Sequence, residues 1–298
     1  MDVEPTTLQA APLVIAGVRF MWSGPCPVDR AALAPAFAPF LQPAASDLAC
    51  TVTALGPAPS LDRQPPAPDS PWSFSVRGDR MELVRRDREG QILWHAAAPL
   101  TYEDAALSWS AGRFAAAYGS YEQAWSRGLG LTQLVFRLRN HGGLVLHGTA
   151  AEWDGRGVLC VGVSGSGKST LARLLDGAGF SVLTDERPVI RLEPPSAAFR
   201  VHGSPWPSSA GFARRAAAPL RRIYFLEHGA TDCLTPLTPR EAFNRLIHVA
   251  TIPWQDPRLF DPCLATVEAL LQAVPAAVLA FRPMPAAAEL LRQELESC

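Results

Sequence analysis

Short runs of apolar, β-branched and aromatic residues at 13–22, 48–55, 72–77, 81–86 and 91–98 predict five strands in the first hundred residues, the last two joined across Asp87–Gly90. Between 56 and 71 the chain is crowded with proline, which neither a helix nor a central strand tolerates, so this stretch reads as an exposed loop. The Ala-rich segment 31–38 is interrupted by Pro35 and flanked by Pro39, which argues against a long helix there. From about 102 to 139 the pattern turns helical, with Leu131, Leu134, Val135 and Leu138 at helical spacing, and it ends at His141-Gly142-Gly143. Two strands follow, 144–153 and 157–163, joined across Asp154-Gly155-Arg156 as a hairpin. A helix then carries Leu171, Leu174 and Leu175 on one stripe and stops at Gly177 and Gly179, and a strand over 180–186 ends in two acids. Helices near 239–250 and 264–274, a strand at 276–281 and a last helix at 285–296 complete the pattern as scaffold. No period of 20 to 50 residues repeats.

The segment between the second hairpin strand and its helix carries the clearest chemistry. Gly162-Val163-Ser164-Gly165-Ser166-Gly167-Lys168-Ser169-Thr170 fits the phosphate-binding loop pattern G-x-x-x-x-G-K-[ST], the Walker A motif, in its required strand-to-helix setting. Glycines at 162, 165 and 167 let backbone N–H groups converge on phosphates, Lys168 can reach the β- and γ-phosphates, and Ser169 offers its hydroxyl to Mg²⁺. The helix that opens at the loop turns its positive end toward the anion. A nucleoside triphosphate is the expected ligand. Asp185 and Glu186, at the end of the next strand, should face the phosphates, although a surface turn would also suit an acid there. His147, a single histidine among apolar neighbours, reads by itself as a core histidine as readily as a functional one.

The rest of the composition narrows the classes. A chain of 298 residues with 48% hydrophobic residues can fill a sizeable core in one or two domains. A net charge of −1 gives no electrostatic footprint for nucleic acid or an anionic membrane, and the Arg85-Arg86, Arg214-Arg215 and Arg221-Arg222 pairs read as solvated surface. Six cysteines without C-x-x-C or zinc spacing suggest reduced thiols. The acidic start Met-Asp-Val-Glu and the lack of an 18-residue apolar run lead us to expect neither export nor membrane spanning, hence a cytoplasmic protein.

Taken in order, Leu146-His147-Gly148, the Asp154-Gly155-Arg156-Gly157 turn, Gly162 to Thr170, the short helix, and Leu183-Thr184-Asp185-Glu186 followed by Val189-Ile190 resemble the catalytic domain of the HPr kinase/phosphorylase family and its relatives with a phosphoenolpyruvate carboxykinase-like nucleotide fold. Val201 to Pro207 and Ala218 to Glu227 look like segments of less characterised relatives, some from gene clusters that make modified peptides. The pattern of strands and helices reads as a β-rich N-terminal domain over 1–100 and a helical connector over 101–142, and the resemblance implies a P-loop catalytic domain with a mixed sheet over 143–298, together an α/β (α+β) protein. A loop that follows an antiparallel strand suits that fold better than an ordinary doubly wound one. The resemblance also implies that Lys168 and Ser169 hold ATP and Mg²⁺, that Asp185 takes the proton from the attacking hydroxyl, and that His147 lies beside Asp185 and tunes it. Gly162, Ser164, Gly165, Ser166, Gly167 and Thr170 would complete the nucleotide cradle, and Asp185 and Glu186 would join Ser169 at the metal. Glu186 departs from the Asp-Asp pair typical of the HPr enzymes, which implies altered metal geometry. The N-terminal third does not resemble the regulatory domain of those enzymes, which weakens the case for HPr itself as the acceptor.

The function expected is therefore an ATP-dependent kinase acting on serine or threonine of a peptide or small protein. Two alternatives stay open: a small-molecule kinase of the shikimate or gluconate type, for which Arg214-Arg215 is the only candidate lid, and an ATP-dependent switch without phosphate transfer. By analogy with relatives the chain would assemble as a homo-oligomer. Gly203-Ser204-Pro205 reads as a turn with Trp206 as its hydrophobic anchor, a reading preferred over the alternative in which His202 and Trp206 line the acceptor site.

Overall fold

A computed structural model describes residues 12–26, 28–41, 45–64, 71–193 and 198–297; part of the proline-rich loop, 65–70, lies outside them. Among the described residues, seven strands build the first sheet: β1 (Leu13–Ile15), β2 (Val18–Ser23), β3 (Leu48–Pro57), β4 (Trp72–Arg77), β5 (Arg80–Arg86), β6 (Ile92–Pro99) and β7 (Asp104–Trp109). Their order is β1-β2-β3-β7-β6-β5-β4, with β2, β3 and β7 mutually parallel and the other pairs antiparallel. The expected strand over 13–22 is split at Ala16-Gly17, whose positive φ angles of 48° and 77° make a two-residue turn between β1 and β2.

The helical connector expected over 101–142 is corrected by β7. Asp104–Trp109 buries Ala105, Leu107 and Trp109 and turns Asp104 outward, a period of two that lets it fill the gap between β3 and β6. Its alanines favour a helix by propensity, and the two waiting sheet edges override that preference. Helices begin only afterwards: α1 (Ala111–Tyr118), α2 (Tyr121–Ala124), a π-helical turn (Trp125–Leu129) and α3 (Gly130–Leu138). They share one core with the sheet, in which the Trp125 ring stands edge-on to Phe20 at 4.9 Å and to Trp22 at 5.3 Å. Full burial of an aromatic side chain such as Phe20 contributes roughly 1.5–3 kcal/mol.

The second sheet contains β8 (Gly143–Val145), β9 (Gly148–Trp153), β10 (Arg156–Val161), β11 (Ser181–Thr184), β12 (Val189–Glu193), β13 (Ala198–His202), β14 (Ala217–His228), β15 (Cys233–Pro236) and β16 (Ala276–Phe281). The order β11-β9-β10-β14-β13-β12-β8 is extended by β16 beside β14 and by β15 beside β16. β10 and β16 run parallel to the long β14 and the remaining pairs are antiparallel, so this sheet is mixed, as expected. Asp154 and Gly155, with φ of 47° and 76°, form the tight turn from β9 to β10. On one face pack α4 (Lys168–Gly177) and, at the end of the chain, α7 (Ala286–Glu296); on the other pack α5 (Pro239–Leu246) and α6 (Pro257–Ala273). The fold is thus α/β with two mixed sheets.

The strand expected over 144–153 is in fact two. β8 pairs with β12, β9 pairs with β10 and β11, and Leu146-His147 is the break between them. Arg191 of β12 ties the two sheets together: its buried guanidinium donates to Ala16 O at 3.1 Å and to Asp47 Oδ1 at 2.7 Å. Among the described residues, no helix is long and apolar enough to cross a membrane.

Candidate active site

β10 ends at Val161 and the chain turns through the glycine-rich loop into α4. Two glycines there are sterically required. A Cβ on Gly162 would lie 2.3 Å from Ser166 Oγ, and Gly167, at φ +92°, would place one 2.8 Å from the Phe281 ring. Gly167 caps α4 without a side-chain hydrogen bond, so the first N–H groups of the helix remain for a ligand. Lys168 is only 7% exposed, and its Nζ donates to Gly162 O at 2.9 Å and Val163 O at 2.8 Å. Burial lowers its pKa, opposed in part by the charge of Glu186. Lys168 is the only lysine in the chain; all other members of the Lys and Arg set are arginine.

The loop is braced from three strands. Thr149 Oγ1 on β9 donates to Lys168 O at 3.2 Å, and His228 Nε2 at the end of β14 meets Gly165 O at 2.9 Å. Phe281 of β16 closes against Gly167. The Ser166 hydroxyl is buried inside the loop without a hydrogen-bond partner. These features fit a phosphate chain: orphan helix N–H groups, a cation held at the loop, and open space beyond Gly165.

A cavity of about 440 Å³ opens over the loop, bounded by Ser164, Gly165, Gly167, Lys168, Ser169 and Thr170 on one side and by His147, Glu186 and Ser208 on the other. The break between β8 and β9 puts His147 there: its N–H donates to Val249 O at 2.7 Å, and the next N–H, of Gly148, donates to Glu186 O at 3.1 Å. His147 Nε2 stands 3.4 Å from Glu186 Oε2, and Arg187 Nη2 stands 3.4 Å from Glu186 Oε1. The His147 hydrogen bond, helped by the charges of His147 and Arg187, holds the Glu186 carboxyl below its ordinary range against the opposing effect of burial. The cavity therefore sets a buried cation and an ionised carboxylate at opposite walls.

Asp185 does not line this cavity. It is fully buried, and its carboxylate accepts three backbone N–H groups of the following loop, from Ser208 at 3.1 Å, Ala210 at 2.8 Å and Phe212 at 3.2 Å. That engagement fixes the loop whose Ser208 faces Glu186. His147, expected beside Asp185, is instead paired with Glu186, because successive residues leaving β11 point to opposite sides. Trp206 packs edge-on against Phe37 at 5.5 Å, and His202 pairs with Glu193 at 3.0 Å away from the cavity. Arg187, Ser208, Thr149 and His228 were not singled out from sequence. Arg187 is adjacent to the acid pair, but the other three are brought in only by sheet pairing and loop closure. Among the described residues, no three His, Cys, Asp or Glu side chains cluster to hold a metal ion, so a Mg²⁺ here would rest on Ser169, Glu186 and the phosphates themselves.

Comparison with known proteins adds two findings. A solved structure described as "Structure of the Hpr(Ser) kinase/phosphatase from Coxiella burnetii" is similar at 14% identity over 51% of this chain and 93% of that one, with a TM-score of 0.28. No curated protein matches the chain. Residues 126–261, which run from the π-helical turn through the loop to α6, match the family model described as "SynChlorMet cassette protein ScmC".

Proposed function

We propose that this protein is an ATP- and Mg²⁺-dependent kinase that transfers the γ-phosphate to a hydroxyl, with serine or threonine of a peptide or small protein as acceptor. The observation that carries this reading is the Glu186–His147 pair, set across one cavity from Lys168 and the N-terminus of α4. The loop N–H groups and Lys168 bind the triphosphate, and Ser169 with Glu186 would hold Mg²⁺, which supplies neutralisation of phosphate charge when bound. The acceptor oxygen attacks the γ-phosphorus, the bond to the β-bridging oxygen breaks and ADP leaves. The acceptor proton passes to the Glu186–His147 pair, since both residues line the cavity while Asp185 is fully buried and its carboxylate accepts three backbone N–H groups. Asp185 enters this reading as the anchor of the Ser208 loop, in place of the base role that the family resemblance implied.

The test is transfer from γ-labelled ATP with Mg²⁺ to single-serine peptides by the wild-type protein, Glu186→Gln and Asp185→Asn. Loss of transfer in Glu186→Gln with ATP binding retained supports the assignment. Full transfer by Glu186→Gln, with Asp185→Asn inactive, would return the base to Asp185. ATP binding without transfer by the wild type would favour a nucleotide switch, a reading to which the occupied Asp185 carboxylate also points.

A further inference from the structure

A second cavity, of about 370 Å³, lies directly behind the wall that carries Glu186. Arg187, whose guanidinium meets Glu186 in the first cavity, lines the second. The other wall is shared as well: Val249 O holds the His147 N–H, and two residues later Thr251 and Ile252 border the second cavity. The two spaces are thus one residue apart along 186–187, and the segment that holds His147 through Val249 O borders the second cavity from Thr251 onward. The far side of the second cavity belongs to the N-terminal half of the protein. Trp72 and Phe74 of β4 and Phe136 of α3 make an aromatic surface, with the Phe74 and Phe136 rings 5.9 Å apart and Phe136 stacked in turn on Tyr102 at 5.2 Å.

One wall of the cavity is an irregular piece of backbone. Within the π-helical turn Gly128 adopts φ +134°, a conformation that side chains resist, and a Cβ there would meet nothing within 4 Å. Gly128 thus lines the cavity with bare backbone and no side chain projecting into it. Because the lysine of such a loop reaches the terminal phosphates, the space beyond Glu186 and Arg187 lies on the acceptor side of the reaction and away from the nucleoside.

Resting on the kinase reading, we infer that this second cavity is the specificity pocket for the acceptor, and that it takes an aromatic or branched aliphatic side chain close in sequence to the phosphorylated serine or threonine. An extended peptide advances about 3.3 Å per residue, so a side chain one to three positions from the acceptor spans the Arg187 wall. The aromatic face supplies the apolar contact, while Arg187 and Gln255 offer polar groups at the rim for the peptide backbone. The first sheet and α3 thereby gain a role in choosing the substrate.

The experiment uses the full chain and synthetic single-serine peptides in an alanine background, with Trp, Leu, Asp or Lys placed in turn at each of the three positions on either side. A Trp or Leu in one register should lower KM by about tenfold or more relative to Ala, the discrimination an apolar pocket provides. Leu131→Trp, which fills the cavity, and Gln255→Trp, at an exposed position on its rim, should each erase that preference while KM for ATP is retained. Equal KM values across the panel, a preference for Asp, or a preference that survives both substitutions would overturn the pocket and leave the kinase reading intact. Phosphorylation of no peptide, with ATP still bound, would overturn the kinase reading and the pocket with it.

Discussion

The two cavities on either side of Glu186-Arg187 are built in opposite ways. The first is polar and its floor is local: six residues between Ser164 and Thr170 line it, and backbone N–H groups with one lysine supply the phosphate contacts. The second is aromatic and assembled, drawing on β4, α3 and the 251–255 segment, which are separated by as much as the span from Trp72 to Gln255. A phosphate site can be specified by one loop because phosphate recognition is mostly backbone geometry. A side-chain pocket needs surfaces from several elements, and so its existence depends on the whole fold.

The sharpest way to break the comparison is Lys168→Ala, which should lower phosphoryl transfer by about 10³-fold or more, as loss of a cation at transferring phosphate does elsewhere. Labelled-ATP kinetics with circular dichroism as the folding control would check it. Glu186→Gln should cost about 10²-fold. Since the Glu186 pKa lies below its ordinary 4.5, the wild-type carboxylate is ionised throughout pH 5–8, and an acidic rate limb in that window must come from another group. A limb that disappears in Glu186→Gln would contradict this. Asp185→Ala acts on the loop beside the cavity: three part-buried N–H groups lose their carboxylate acceptor, and a stability loss of about 1–3 kcal/mol is expected in urea titrations. Asp185→Asn, which keeps one acceptor oxygen, should lose less. The smallest effect is at the clamp between sheets. Asp47 is held below its ordinary 3.8 by the Arg191 hydrogen bond, so its contribution is complete above that value and fades as pH falls below it. Being half-exposed, it should be worth about 1 kcal/mol or less, and Asp47→Asn should flatten the acid side of the stability curve by that amount.

What could be read from sequence follows the same division. The loop, its helix and the Asp154-Gly155 turn obey local rules, and each stands where those rules put it. The placement of β7 could not be read locally, because Asp104–Trp109 carries a helix-forming composition and becomes a strand only through the edges of β3 and β6. Nor could the break at Leu146-His147, where the change of strand partner falls inside what reads as one mostly apolar run. The reversal of roles at 185 and 186 has the same origin. Two adjacent acids look interchangeable in sequence, and only the loop folding back from Ser208 to Phe212 decides which one is consumed by backbone and which faces the loop. The Trp72, Phe74 and Phe136 surface left no trace as a site, since each residue reads singly as core.

That Lys168 is the chain's only lysine has a practical consequence. Amine-directed acylation has a single side-chain target in this sequence, and that target lies within the loop, held by the Gly162 and Val163 carbonyls, with its proton loosened by burial. One mass increment, distinguished from the terminal amine by peptide mapping, would then read the occupancy of this loop directly, without any acceptor being known.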